Sequence, residues 1–216
     1  RVFVLKTYAA TRGGLHAARQ SGILGIIRGG KRRRKGVARH KCRGRQKRFA
    51  TKEDIMQQPK LTLHPLTDED LPLLETWLRR PHVLKWYEDT DNWLAELRGR
   101  GGEFCWLHHY IARLAGKPAG FCQYYDCWDA KALEDWYKVD APGQLYSIDY
   151  LIGEPALLGQ GLGKRLVALL TGTVRRETGA KQIIVQPDEA NLASCGVLLA
   201  NGYRYDEARG YYSKTW

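Results

Sequence analysis

The run Gly159-Gln160-Gly161-Leu162-Gly163-Lys164 has the composition of an anion-binding turn. Its glycines permit a tight turn and close approach by a ligand. Amide N–H groups freed where a helix begins form a nest for phosphate oxygens. Asp149 is the second suggestive residue. It interrupts the apolar stretch Tyr146-Ser147-Ile148-Asp149-Tyr150-Leu151-Ile152, where a carboxylate is either exposed on one strand face or has a task. Third, residues 126–140 hold five acids (Asp126, Asp129, Glu134, Asp135, Asp140) and three aromatics (Trp128, Trp136, Tyr137). That mixture is either a solvated loop or the wall of a pocket for a polycation with sugar rings, held by carboxylates and flat aromatic faces.

Other chemistries fit less well. The glycine turn is not a G-x-x-x-x-G-K-[ST] loop, because Arg165 follows Lys164, and Leu166 breaks the G-x-G-x-x-G spacing of a dinucleotide site. A purely structural turn is the alternative. His64, His82, His108 and His109 form no metal-ligand spacing with Asp, Glu or Cys, so no metal is expected. The five cysteines are odd in number and include no C-x-x-C pair, which argues against a disulfide framework or zinc knuckle. Cys195 reads as a core residue of a helix face rather than a nucleophile.

The elements that would position these residues follow from pattern. Leu61–Leu66 alternates as a strand, and Thr67 caps a helix over Asp68–Arg80, with Leu71, Leu74, Trp77 and Leu78 at helical spacing and Pro81 as its stop. A second helix covers Thr90–Leu97, before Gly99, Gly101 and Gly102. Residues 104–114 and 119–127 read as a hairpin about Ala115-Gly116-Lys117-Pro118, followed by a loop over 128–143. Then come a strand over Gln144–Ile152, a helix over Gly161–Thr173, a buried strand over Lys181–Val185, a helix over Asn191–Ala200, and strands over Tyr203–Asp206 and Tyr211–Thr215. The order predicts an α/β fold with a mixed central sheet and helices on both faces.

The chain has 216 residues, 44% of them apolar, enough for one core. Its net charge of +12 is unevenly placed. Residues 1–52 carry 17 Lys/Arg and no acid, including Lys31-Arg32-Arg33-Arg34-Lys35, whereas residues 53–216 carry 18 basic and 23 acidic residues. Nucleic-acid binding is therefore expected only through residues 1–52. The sole methionine is Met56; residues 1–55 are read as a basic N-terminal extension, non-native or partly disordered. No apolar run is long enough for a membrane span, and the first residues lack the apolar core of a secretion signal. Residues 53–154 have a net charge of −8 and residues 155–216 of +3, so a cation would favour the first part and phosphates the second.

The blocks Tyr146-Ser147-Ile148-Asp149, Leu158-Gly159-Gln160-Gly161-Leu162-Gly163 and Asn191 through Gly202-Tyr203, in that order, resemble the GCN5-related N-acetyltransferase superfamily. Within it the chain is similar to aminoglycoside 6'-N-acetyltransferases. The resemblance covers about residues 60–216 and makes residues 56–216 the N-acetyltransferase domain. It implies acetyl-CoA as co-substrate, with Gln160, Gly161, Leu162, Gly163 and Lys164 on its pyrophosphate. Tyr150, Leu151 and Ile152 would pair with pantetheine through a splayed strand, and Asn191, otherwise a plain N-cap, would bond to the pantetheine region. Asp149 would be the base, directly or through water. Trp86, Tyr87, Glu134, Trp136 and Tyr137, with Asp149, would face the acceptor, a cationic small-molecule amine such as an aminoglycoside acetylated at its 6'-amine by direct attack in a ternary complex. Other acceptors compatible with the fold are a siderophore precursor amine, a polyamine or a protein N-terminus. A bacterial cytoplasmic protein, monomeric or homodimeric, is expected.

Three departures from the family pattern stand out. Leu158 replaces the frequent Gln or Arg. Gln186 stands where an acid is often found, five residues before Asn191, leaving Asp188 or Glu189 to compensate or the substrate range to differ. Leu198 occupies the position, seven residues after Asn191, where many members carry a tyrosine acid for the leaving thiolate. Tyr203, Tyr205, Tyr211 or Tyr212 would substitute, or the thiolate leaves unaided.

Overall fold

A computed structural model describes residues 58–216. The sequence readings on residues 1–55 and on Met56 lie outside the described residues. Seven strands form one sheet: β1 (Leu61–Pro65), β2 (His108–Leu114), β3 (Lys117–Asp126), β4 (Tyr146–Ile152), β5 (Gln182–Val185), β6 (Arg204–Asp206) and β7 (Tyr211–Thr215), in the order β1-β2-β3-β4-β5-β7-β6. Every neighbouring pair is antiparallel except β4 and β5, which run parallel. The sheet is mixed, as the order of elements predicts.

Helices cover both faces because alternate strand residues point to opposite sides. On one face α1 (Leu71–Leu78), α2 (Pro81–Leu84) and α3 (Thr90–Arg98) pack Leu74, Trp77, Leu78, Trp93 and Leu97 against Ile111, Phe121 and Leu151. On the other, α5 (Leu162–Thr178) and α6 (Leu192–Ala200) pack against Ala112, Cys122, Tyr124 and Ile148. Leu162, Leu166, Val167, Leu170 and Val174 of α5 are all buried, each contributing about 1.5–3 kcal/mol relative to exposure. The α5 stripe is therefore a main anchor of the glycine turn that precedes it.

Several boundaries differ from the sequence expectation. Residues 68–70 form a 3₁₀ turn, with the Thr67 N–H and hydroxyl both donating to Asp70 Oδ2, before α1 begins. The first helix ends at Leu78, ahead of Pro81, with Arg80 extended, and Pro81 itself opens α2, since proline suits a first helical position where the missing N–H costs nothing. Residues 104–107 are turn rather than strand: the Trp106 indole N–H donates to Glu103 O at 3.1 Å, and β2 starts at His108. The loop after β3 begins with a single helical turn, α4 (Cys127–Ala130), capped by the Asp126 carboxylate accepting from the Trp128 N–H at 2.9 Å.

The end of β4 is clamped. Arg80 donates to Gly153 O at 2.6 Å and pairs with Glu154 at 2.7 Å, and the Trp77 indole N–H donates to Glu154 Oε1 at 2.8 Å. A Cβ on Gly153 would meet the Trp77 ring at 2.1 Å. Because that ring is fully buried and tied to Glu154, Gly153→Ala is expected to destabilise the protein by about 1–3 kcal/mol. Urea unfolding checks this; an unchanged midpoint would contradict the tight fit.

Candidate active site

Strand β4 pairs with β3 at every position from Tyr146 to Ile152 but with β5 only at Tyr146 and Ser147. Beyond Ser147 the two parallel strands part, and a cleft of about 340 Å³ opens between them. Residues Ile148 to Ile152 line it with Val185 at the end of β5, Gln186 and Pro187 after it, and Asn191, Ser194 and Val197 of the α6 region. This is the splay expected around Asp149–Ile152. Its β4 edge has protein partners that the sequence did not disclose: the Tyr87 hydroxyl donates to Tyr150 O at 2.9 Å, and His82 Nε2 lies 3.0 Å from Ile152 O. A carbonyl has a second lone pair, so neither partner closes that edge to a ligand amide.

One end of the cleft is the glycine turn. Gly159 and Gly161 adopt left-handed φ values of 71° and 76°, which L side chains rarely adopt. Gly161 caps α5, and the first-turn amides of Leu162, Gly163 and Lys164 have no earlier carbonyl within the helix to bond. The α5 first turn contains no acid. These groups suit a pyrophosphate. Gly161, Leu162, Gly163 and Lys164 line the cleft, as does Leu158; Gln160 does not, its side-chain amide instead donating back to Ala156 O. Asn191 lines it and is also a true N-cap, accepting from Ser194 N at 3.1 Å.

At the other end, Asp149 projects from the face of β4 opposite Ile148 and Tyr150. Its Oδ2 accepts from the Gln123 amide at 3.0 Å, across the β3–β4 pair. Behind Gln123 lies Glu96 of α3, buried, with Oε1 3.6 Å from Nε2 of the buried His109. Desolvation raises the Asp149 carboxyl to about 7, moderated by the Gln123 hydrogen bond and reinforced by Glu96. Burial raises Glu96 to about 8, against a Gln123 hydrogen bond that lowers it. Burial, with a smaller contribution from Arg100, lowers His109 to about 4. The Glu96–His109 contact is therefore a neutral pair at pH 7, a carboxylic acid facing an uncharged imidazole, and not a salt bridge.

Aromatic rings form the remaining wall. Trp86, Tyr87 and Trp136 line the cleft with Tyr125 and Ser147. Trp136 stands edge-on to Tyr137 (centroids 4.7 Å apart) and Tyr211 (5.9 Å). Glu134 and Tyr137 do not line the cleft but sit behind it. Glu134 is buried and accepts from the Trp136 indole N–H at 2.9 Å, and the Tyr137 hydroxyl donates to Cys127 O at 3.1 Å. Both orient the wall. Desolvation and then Asp149 raise Glu134 to about 8. Gln186 lines the cleft with its amide N–H donated to Gly210 O at 3.0 Å. Gln123 and Glu96 escaped the sequence reading, because a polar residue on an apolar strand or helix announces burial only once its facing element is known; His109, read there only as no metal ligand, is buried beside them. Among the described residues no group of three or more His, Cys, Asp or Glu side chains could hold a metal, and no helix is long and apolar enough to cross a membrane.

A family model described as an acetyltransferase (GNAT) domain matches residues 67–209. The chain is 28% identical over 138 residues to an aminoglycoside N(6')-acetyltransferase type 1 of Klebsiella pneumoniae, spanning 61% of this chain and 68% of that protein. The crystal structure of aminoglycoside acetyltransferase AAC(6')-Ib in complex with coenzyme A matches with a TM-score of 0.62 at 26% identity, covering 72% of this chain and 95% of the other. The complex of AAC(6')-Ib with coenzyme A and kanamycin gives a TM-score of 0.61 at 26% identity, with the same coverage.

The folded state holds the Glu96 proton up to about pH 8, whereas an unfolded glutamate loses it near 4.5. Stability from this group is therefore fully present below pH 4.5 and is lost as pH rises through 8. Glu96→Gln mimics the protonated acid. The variant is expected to melt near the wild-type temperature at pH 5 and several degrees above it at pH 8.5. Parallel melting-temperature profiles over that range would show that Glu96 ionises freely.

Proposed function

The chain belongs to the acetyltransferase (GNAT) family, and we propose that it transfers an acetyl group from acetyl-CoA to the 6'-amino group of an aminoglycoside, conferring resistance to the antibiotic. One observation carries the reading. A single cleft joins a phosphate-binding helix start, a strand edge suited to pantetheine, and a carboxylate beside an aromatic wall. The donor and acceptor named in the complexes of its structural relatives fit those parts in that order. Gly161, Leu162, Gly163 and Lys164 hold the pyrophosphate, the Ile148–Ile152 edge and Asn191 hold the pantetheine arm, and Trp86, Tyr87 and Trp136 flank the sugar rings. The reaction is placed in the bacterial cytoplasm, where acetyl-CoA is made. Residues 56–216 are proposed as the catalytic domain, with 1–55 as an extension outside it.

Asp149 performs the proton chemistry. A bound ammonium must lose a proton before its nitrogen can attack the thioester carbonyl. Gln123 occupies Oδ2 of Asp149, which leaves Oδ1 for the amine. A carboxyl raised to about 7 is divided between its two forms at neutral pH, the range in which a general base works best. Arrival of the ammonium lowers it again and ionises it. Glu96 is held protonated behind Gln123, so it does not compete for the cation, while the Glu134 carboxyl draws the Trp136 ring into place. No nucleophilic side chain needs to carry the acetyl group, and attack is direct.

A second reading keeps the donor and changes the acceptor to another amine, such as a siderophore precursor, a polyamine or a protein N-terminus. Gln186 favours it, placing an uncharged amide in the cleft where an acid is often found.

Asp149→Asn is expected to lower kcat for an aminoglycoside by roughly 10²–10⁴-fold, with coenzyme A affinity changed by less than about twofold. In the wild type, kcat/KM should fall about tenfold per pH unit below an apparent pKa near 7, where Asp149 is protonated with Glu96, Glu134 and the Tyr87 and Tyr125 hydroxyls around it. Thiol release measured over an amine panel checks both. Near-normal turnover in the variant would remove Asp149 from the chemistry, and turnover confined to a non-aminoglycoside amine would select the second reading.

A further inference from the structure

Leu198, on the inner face of α6, is fully buried and offers no hydroxyl to a leaving thiolate. The four tyrosines nearest in sequence do not replace it. The Tyr203 hydroxyl is buried against Thr171 Oγ1 at 2.7 Å, Tyr205 packs on Tyr212 with centroids 5.0 Å apart, and Tyr211 packs on Trp136. None of the four lines the cleft. Three other tyrosines do: Tyr87, Tyr125 and Tyr150. Tyr87 spends its proton on Tyr150 O. Tyr125 shares the Gln123 and Asp149 face of the sheet, two residues along β3 from Gln123. Tyr150 alone points to the opposite face, towards α6. Its hydroxyl donates to Ser194 O at 3.5 Å and lies 2.6 Å from Ser194 Oγ, where either oxygen can be the donor.

Helix geometry connects Tyr150 to Leu198. Side chains tilt toward a helix N-terminus, so a long side chain at 198 would cover the turn that holds residue 194. β4 brings a phenol to that same turn from the other side of the cleft. The short Leu198 leaves the space clear, and Ser194 supplies a partner for the phenol oxygen.

We propose that Tyr150, positioned by Ser194, donates the hydrogen bond that stabilises the coenzyme A thiolate as the acetyl group leaves. The inference rests on the acetyl-CoA-dependent reaction proposed above, but not on the identity of the acceptor. As the amine nitrogen bonds to the carbonyl carbon, the C–S bond breaks and its electron pair remains on sulfur. The amine proton passes to Asp149 and then to solvent; the sulfur takes a proton from solvent as coenzyme A departs. Tyr150 keeps its own proton. Burial raises its hydroxyl far above the usual tyrosine range, against a smaller lowering by Ser194, so it stays a neutral donor throughout. A Ser194 hydroxyl that donates to the phenol oxygen frees the phenol proton to turn from the long 3.5 Å contact with Ser194 O to the sulfur when coenzyme A is bound.

The test uses the full chain as wild type, Tyr150→Phe and Ser194→Ala. Calorimetry measures the affinity of coenzyme A and of desulfo-coenzyme A from pH 6.5 to 9.5. The wild type should come to prefer coenzyme A as its thiol ionises, and Tyr150→Phe should lose about tenfold of that preference while binding the desulfo compound normally, which also reports a correct fold. Its kcat should fall about 10- to 100-fold at unchanged KM for acetyl-CoA, with a smaller fall in Ser194→Ala. Retention of the pH-dependent preference and of kcat in Tyr150→Phe would overturn the proposal, as would equal loss of affinity for both ligands, the sign of a packing role. A wild type that binds neither compound would instead overturn the acetyl-CoA reading itself. A wild type that binds both but turns over no aminoglycoside would overturn only the acceptor assignment.

Discussion

The parting of β4 from β5 after two paired residues is the constraint on which the rest of the molecule depends. An unpaired strand edge inside a protein is costly, because each buried N–H and C=O needs a partner. Here it is tolerated because the other edge of β4 is bonded to β3 along its full length. The strand's exit is also fixed by Arg80, Trp77 and Glu154. A ligand amide can complete what the sheet leaves undone.

The same parting sorts the chemistry by face. Side chains alternate along β4, so Asp149 and Tyr150, adjacent in sequence, emerge on opposite sides of the sheet. Asp149 meets the acidic, aromatic half with Gln123 and Glu96, and Tyr150 meets α6 at Ser194. In the proposed reaction, proton removal from the amine and stabilisation of the leaving sulfur fall to neighbouring residues on opposite faces of the strand. In the proposed reaction the glycine turn holds the far end of the donor, at the first turn of a helix anchored by five buried apolar side chains.

The carboxylates of the acceptor half illustrate how burial tunes a site. Glu96, Glu134 and Asp149 are all raised, each with desolvation as the main cause. Only Asp149 lines the cleft, where an arriving cation would reverse its shift. Glu96 and Glu134 are more useful as neutral acids, which shape their surroundings without drawing the substrate away.

The sequence alone disclosed the features that depend on local rules. Gly159, Gly161 and Gly163 mark the turn before α5, the spacing of Leu71, Leu74, Trp77 and Leu78 marks α1, and period-two alternation marks β1. The isolated Asp149 in β4 and the acid-aromatic run were visible for the same reason, as departures from a local pattern. Local rules did not reach further. Pro81 opens a further short helix after the first has stopped, and Phe104–Leu107 turn away from the strand, because the neighbouring packing decides which of two permitted conformations is used. Glu134 and Tyr137 stand in the right loop but behind the wall, because their polar atoms are spent on Trp136 and Cys127. Gln123, Glu96 and His109 come from three elements, and Tyr150 meets Ser194 across 44 positions of chain. Composition and spacing thus determined which elements form and which kind of ligand they suit. Only tertiary structure decided which buried polar groups face one another, because desolvation and hydrogen bonding act between side chains that the sequence keeps far apart.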